Sequence, residues 1–187
     1  MKKSIGTPSL IFPNPVLVVC TYDEGGRANA ATLAWGGIAS SGPAAVSIAV
    51  QPPRYTYEAL MKRKAFTVNL APAKYAAEAD YFGLVSGRDA DKFAVTGLTA
   101  VKSDIVDAPY IGEFPYILEC EVTHTLDLGV HTLFIGAIKD AKIDDGATEM
   151  WKGLDLITFD AASRDYRLPG ASVGKAFEIG NKFKNKL

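Results

Sequence analysis

The sequence predicts a mainly β protein with helical insertions, built as a small antiparallel barrel. Strand-like runs dominate and follow one another along the chain, with turn residues between them. Helical stretches are inserted singly among the strands, and no internal repeat or low-complexity segment interrupts the pattern. One long run, Ile117–Leu126, sets Leu118, Cys120, Val122, His124 and Leu126 against Glu119, Glu121, Thr123 and Thr125. That alternation is the half-buried strand of an antiparallel sheet.

The elements follow in order. The first 15 residues are an extended lead-in punctuated by Pro8, Pro13 and Pro15. Val16–Tyr22 is a continuous apolar strand, and Asp23–Arg27 is the hairpin loop returning the chain into a strand that begins at Asn29. Ser41-Gly42-Pro43 turns the chain into Ala44–Val50, so the first 50 residues read as a meander of three strands. Gln51–Thr56 breaks the sheet. Thr56 is placed to cap a helix whose apolar face is Tyr57, Leu60 and Met61, and whose last turn holds Lys62, Arg63 and Lys64. Phe66–Leu70 alternates as a strand, and Pro72 to Phe82 is alanine-rich and helical. Ser86–Asp89 turns into a short helix, Ala90–Val95, with Gly97 placed to end it. Beyond the loop framed by Pro109 and Pro115 come Ile117–Leu126, the turn Asp127-Leu128-Gly129 and the strand Val130–Ile138. A short strand at Leu156–Phe159 and a terminal helix at Ser172–Phe183 complete the chain.

A length of 187 residues predicts one domain with a substantial core. A formal net charge of −1 argues against electrostatic capture of nucleic acid or of a membrane surface. No apolar run approaches the roughly 20 residues of a membrane span. The prolines after Lys2 and Lys3 argue against a signal peptide. Cys20 and Cys120 each lie inside an apolar run and read as buried free thiols, which fits a reducing cytoplasm.

The stretch Asn29–Ser41 stands out chemically. Ala30, Ala31, Ala34, Gly36, Gly37 and Ala39 leave it bare, with Trp35 as its one large side chain. Such a strand suits either close sheet-on-sheet packing or a planar ligand lying against the backbone. Two segments suit an anion: Arg54-Tyr55-Thr56 at a helix mouth, and the glycine turn Ser86–Lys92 at another. The competing reading of each is a helix cap with solvated charges. Both beside a bare strand suggest a nucleotide or flavin mononucleotide (FMN). With two histidines, His124 and His131, and no Cys-x-x-Cys or His-Glu-x-x-His, no metal site is expected. No Gly-x-Ser-x-Gly elbow is present either.

Asn29–Trp35, Arg54-Tyr55-Thr56, Phe66–Asn69, Ser86–Phe93, Gly129–Gly136 and Val173–Phe177 together resemble the flavin reductase-like, FMN-binding split-barrel family, in particular its flavoredoxin branch. The resemblance runs from about Pro15 to Lys182. It implies a six-stranded antiparallel Greek-key split barrel that forms a homodimer with FMN at the interface. Its cofactor-binding positions fall here on Asn29, Ala31, Thr32, Leu33, Ala34, Trp35, Gly36, Arg54, Tyr55, Thr56, Asn69, Ser86, Gly87 and Lys92. The isoalloxazine is expected along Thr32–Gly37 with Asn69 near its polar rim. Arg54, Thr56, Lys92, Ser86 and Gly87 are expected at the phosphate and ribityl chain. Gln51-Pro52-Pro53 departs from the more charged segment that relatives often carry.

A flavin brings its own redox chemistry, so the lack of a protein nucleophile is consistent with that resemblance. His131 is the candidate catalytic residue, as a nicotinamide contact or proton donor; the other reading is a half-buried strand histidine. Three functions stay open: an FMN oxidoreductase or electron carrier fed by NAD(P)H or a redox protein, a flavin reductase using flavin as substrate, and a non-catalytic FMN-binding module. An enzyme like pyridoxamine-phosphate oxidase is a more remote fourth.

Overall fold

The computed structural model describes residues 1–145 and 153–186. In chain order the elements are β1 (Asn14–Pro15), β2 (Leu17–Tyr22), β3 (Ala28–Leu33), β4 (Gly36–Ser41), β5 (Ala44–Val50), α1 (Tyr55–Arg63) and β6 (Ala65–Leu70). A 3₁₀ turn at Ala73–Tyr75 leads into α2 (Ala76–Leu84), then α3 (Lys92–Thr96), β7 (Ala100–Lys102) and β8 (Pro109–Ile111). The long hairpin β9 (Tyr116–Asp127) and β10 (Thr132–Ile143) follows, then β11 (Thr158–Asp160), β12 (Asp165–Arg167) and a 3₁₀ segment at Ile179–Lys186.

Seven strands form the main sheet in the order β3-β2-β6-β9-β10-β5-β4, antiparallel throughout. Its two edge strands, β3 and β4, are consecutive in the chain with only Ala34 and Trp35 between them. A sheet whose first and last strands are joined by two residues has to roll up, which gives a barrel with an unpaired seam. The Ala49 amide donates to the Trp35 carbonyl at 2.9 Å and fixes the bend. The strand count is thus seven rather than six. The expected three-strand meander is two hairpins, β2–β3 and β4–β5, on opposite edges. Gly36 explains why the chain can turn there: a Cβ would stand 2.5 Å from the Ser47 carbonyl oxygen and 2.7 Å from Leu17. Only glycine permits that approach.

Alternation along β2 divides the core in two. Val18 and Cys20 face a cluster with Phe82 of α2, Phe93 of α3 and Ile111 of β8. Leu17 and Val19 face Ile48, Leu60, Phe66 and Phe134. Fully burying an aromatic such as Phe66 or Phe134 contributes on the order of 1.5–3 kcal/mol. Both cysteines are buried free thiols, each pushed up to about 12 by burial.

Several local expectations shift. Ile117, Leu118, Glu119 and Cys120 are all buried, because both faces of β9 are covered there. Glu119 pairs with Lys142 at 2.7 Å instead of facing solvent. His124 and Leu126, expected inward, are exposed because the β9–β10 hairpin projects past the barrel. The strand expected at Val130–Ile138 is Thr132–Ile143. The strand expected at Leu156–Phe159 is Thr158–Asp160, with Leu156 bridging to Pro72. The short helix starts at Lys92, and Gly97 ends it in the left-handed conformation as expected. The terminal segment is not an α-helix over Ser172–Phe183; it is exposed, with a 3₁₀ segment from Ile179. Among the described residues no helix is long and apolar enough to cross a membrane.

Candidate functional site

A cleft of about 960 Å³ opens beside the seam. One wall is the end of β3 and the bend, Ala31 to Trp35, where Ala31 and Ala34 carry little bulk and Trp35 is exposed. A second is the approach to α1, with Gln51, Pro53, Arg54, Tyr55 and Thr56. The third is the end of α2 and the turn after it, through Ser86, Gly87 and Lys92. Phe159, Arg164 and Tyr166 of the β11–β12 hairpin form the fourth, and His131 stands at the rim.

The α1 mouth gathers hydrogen-bond donors. Its N-cap is Arg54, which makes no side-chain cap hydrogen bond, so the first-turn amides of Tyr55 and Thr56 have no intrahelical acceptor. Among the described residues, the Arg54 guanidinium has neither a hydrogen bond nor an ion pair. Thr56 is not the cap that was expected. It is buried as the second residue of the first turn, and its hydroxyl accepts from Asn29 Nδ2 at 3.1 Å.

The second expected anion mouth is occupied by the protein itself. Asp91 caps α3, accepting from the Ala94 amide at 3.1 Å. Lys92 turns inward and donates to the Phe82 and Val85 carbonyls at 2.9 and 3.1 Å, satisfying the end of α2. Burial pushes its ammonium down to about 8, with Arg54 adding to the effect. Gly87 is there for packing: a Cβ would meet Asn29 Oδ1 and Tyr55 Cδ1, both at 2.4 Å.

Tyr55 lines the cleft with its ring, while its phenol donates to Asp23 at 2.7 Å and accepts from Arg27 at 3.1 Å. The Arg27 and Arg88 guanidinium carbons lie 5.9 and 5.4 Å from its ring centroid. Thr32 donates to the Ala79 carbonyl and ties the bare strand to α2. Trp35 and His131 are nearly parallel, at 14° with centroids 6.5 Å apart.

Ala31, Thr32, Leu33, Ala34, Trp35, Arg54, Tyr55, Thr56, Ser86, Gly87, Lys92 and His131 therefore converge on one cleft. Asn29, Gly36 and Asn69 do not line it. Asn69 is fully buried and cross-links the barrel, donating to the Val18 carbonyl and Thr67 hydroxyl and accepting from the Ile111 amide at 2.8 Å. Sequence reasoning missed Asp80, Phe159, Arg164 and Tyr166, which come from distant segments with no local motif. It also passed over Arg88 as a single residue, although that arginine sits inside the glycine turn. The lining cations Arg54, Arg88, Lys92 and Arg164 face two carboxylates, Asp80 and Asp89, and Asp80 already accepts from Tyr166 at 2.8 Å.

Residues 9–163 match the model of the flavin reductase like domain. The chain belongs to that family. Among solved structures, it superposes on the flavoredoxin of Desulfovibrio vulgaris (Miyazaki F) with a TM-score of 0.90 and 39% identity, covering 96% of this chain and 100% of that one. The flavoredoxin of Methanosarcina acetivorans gives a TM-score of 0.91 at 26% identity, covering 98% and 99%. An uncharacterized protein of Aeropyrum pernix is 33% identical over 140 residues, which is 73% of this chain and 53% of that protein. The chain thus spans about half the length of that relative. The family resemblance and the split-barrel class read from the sequence agree with these neighbours.

Proposed function

We propose that the cleft holds FMN and that the protein is a flavin-dependent oxidoreductase or electron carrier of the flavoredoxin type. The observation that carries this is Arg54: a guanidinium without a partner among the described residues, at an unsatisfied helix mouth, beside the strand end that carries Ala31 and Ala34. The donor set fits a terminal phosphate, because a planar fork and two first-turn amides are all donors. The cleft volume lies at the upper end of small-molecule sites, about 300–1,000 Å³.

Arg54 and the α1 amides would hold the phosphate, and the Ala31–Trp35 backbone would lie along the isoalloxazine. When bound, the flavin supplies hydride and one-electron chemistry. The protein's own part is to bind and orient it and to exclude water. Thr32 keeps α2 against the bare strand and Lys92 ties α3 to the end of α2, and together they set the cleft's width. Trp35 and His131 cover the rim, where the imidazole can exchange a proton with a reactant.

The reading includes a homodimer. Ile38 on β4 and Val130 in the β9–β10 turn are 71% and 70% exposed, and Trp35, Leu126 and Leu128 are exposed as well. A second copy would cover this apolar surface beside the cleft; standard interfaces bury about 1,600 Å². The electron donor in this reading is NAD(P)H or a redox protein.

Titration with FMN and FAD, followed by anaerobic mixing with NADH or NADPH, tests the reading. Micromolar FMN binding and bleaching of the flavin band are expected. No flavin binding overturns the reading; binding without bleaching by any donor reduces it to a binding module. Light scattering near 20 kDa would refute the dimer.

A further inference from the structure

Lys92 is a buried cation without a counter-ion. It lines the cleft, is 4% exposed, and its ammonium donates only to the Phe82 and Val85 carbonyls, at 2.9 and 3.1 Å. Among the described residues no carboxylate pairs with it. Asp91, its neighbour in sequence, caps α3 through the Ala94 amide, and Asp80 of α2 accepts from Tyr166. The Cys20 thiol of β2 lies close enough to act on it, yet that thiol is pushed up to about 12 and carries no negative charge at neutral pH.

The other group that acts on Lys92 is a like charge, Arg54 at the α1 mouth. Arg54 has no partner among the described residues either. Arg88, the cation of the adjoining turn, is spent on the Pro53 carbonyl at 3.0 Å and on Glu58 at 4.0 Å. Two uncompensated cations, one buried and one at a helix mouth, therefore border one cleft. A buried charge left unpaired is costly, and a ligand anion seated beside it supplies the pair.

We infer that anion binding at the Arg54 mouth is coupled to proton uptake by Lys92, so that the lysine closing the end of α2 also sets how tightly the cleft holds a phosphate as pH rises. The inference rests on the reading that the FMN phosphate occupies that mouth. Its sign follows from the charges. In the flavin-free protein, burial and Arg54 hold the ammonium down at about 8. A phosphate dianion at the mouth offsets Arg54 and favours the charged lysine, which moves its titration upward. Binding in that interval draws in a proton, and by linkage the affinity falls as pH rises through it. The phosphate loses its own second proton near pH 6 and adds nothing there.

The test is calorimetric titration of FMN into flavin-free wild type, Lys92→Arg and Lys92→Met at pH 8.5, in two buffers of different ionisation enthalpy. Wild type should take up a fraction of a proton per FMN. Its affinity should fall between pH 7.5 and 9, by at most about 10-fold per pH unit, the limit for one proton. Lys92→Arg and Lys92→Met carry no group titrating in this interval, so each should give the same enthalpy in both buffers and a flat affinity. Wild-type binding without proton uptake overturns the inference, and so does uptake that persists in both variants. If neither variant folds, the wild-type buffer comparison and pH series still decide: a flat affinity from pH 7.5 to 9 overturns it. Failure of wild type to bind FMN sinks the flavin reading alone; inorganic phosphate, titrated into the same protein, then carries the same proton comparison.

Discussion

Asn29 donates a buried hydrogen bond to Thr56 at 3.1 Å and so ties β3, one wall of the cleft, to the first turn of α1, another. Removing either partner strands a buried polar group. Asn29→Ala and Thr56→Val should each lower unfolding stability by about 1–3 kcal/mol in urea titrations. The double variant should cost less than the sum, with a coupling of roughly 0.5–3 kcal/mol. Strict additivity would mean that the bond does not join the two elements.

Arg54→Ala should weaken FMN binding about 10- to 150-fold, roughly 1.5–3 kcal/mol, by removing a charge-assisted contact. Arg54→Lys should restore only part, since a point charge lacks the planar fork. The melting temperature of the flavin-free protein should stay put, because this side chain has no partner among the described residues. Equal dissociation constants in all three proteins would exclude Arg54 from the phosphate seat.

Gly87→Ala should destabilise by about 1–3 kcal/mol, because its Cβ would collide with Asn29 and Tyr55 at 2.4 Å. The turn carrying Ser86 should shift with it, and flavin affinity should fall. Gly37→Ala is the control: nothing lies within 4 Å of its Cβ, and the change should stay within about 0.5 kcal/mol. Similar melting temperatures for the two variants would count against the packing account of Gly87.

Stability should depend on pH through Lys92. Its ammonium titrates near 8 in the fold but near 10.4 in the unfolded chain, so over that interval the unfolded state binds more protons. Stability from this group therefore rises as pH climbs past 8. Cys20 and Cys120 act oppositely. Buried thiols at about 12 keep protons that unfolded thiols lose above about pH 8.5, so their contribution falls there. Two thiols act against one ammonium, so the melting temperature of the flavin-free protein should stay nearly level around pH 8 and fall above about 8.5. Lys92→Met should remove the opposing contribution and make the fall begin at lower pH and run steeper. An unchanged profile in that variant would show that Lys92 is not the group responsible.

The sequence was most legible where local chemistry decides the outcome. Val16–Tyr22, Ala44–Val50 and Phe66–Leu70 fold as the strands their apolar patterns describe, to within a residue. Gly97 ends α3 because a left-handed residue was needed there. Polar residues were harder, since sequence shows that an Asn or Lys is present but not what occupies its donors. Asn69, Thr56 and Lys92 read as ligand groups, yet they spend hydrogen bonds on strands, on Asn29 and on α2. Arg54 keeps its guanidinium free among the described residues. Arg164 and Tyr166 had no local signal, because their meaning depends on Asp80, 86 residues from Tyr166 in the chain.

The bare strand from Ala31 to Ala34 has a practical corollary for mutagenesis. Where a surface offers mainly main-chain atoms and missing bulk, truncation scanning has little to remove: Ala31 and Ala34 are already what such a scan would install. A survey built on shortening side chains would chart this cleft as a ring of sensitive arginines around an apparently inert centre. Only the reverse experiment, adding a methyl or an isopropyl group at these positions, can make that centre visible, by filling the space the sequence leaves empty.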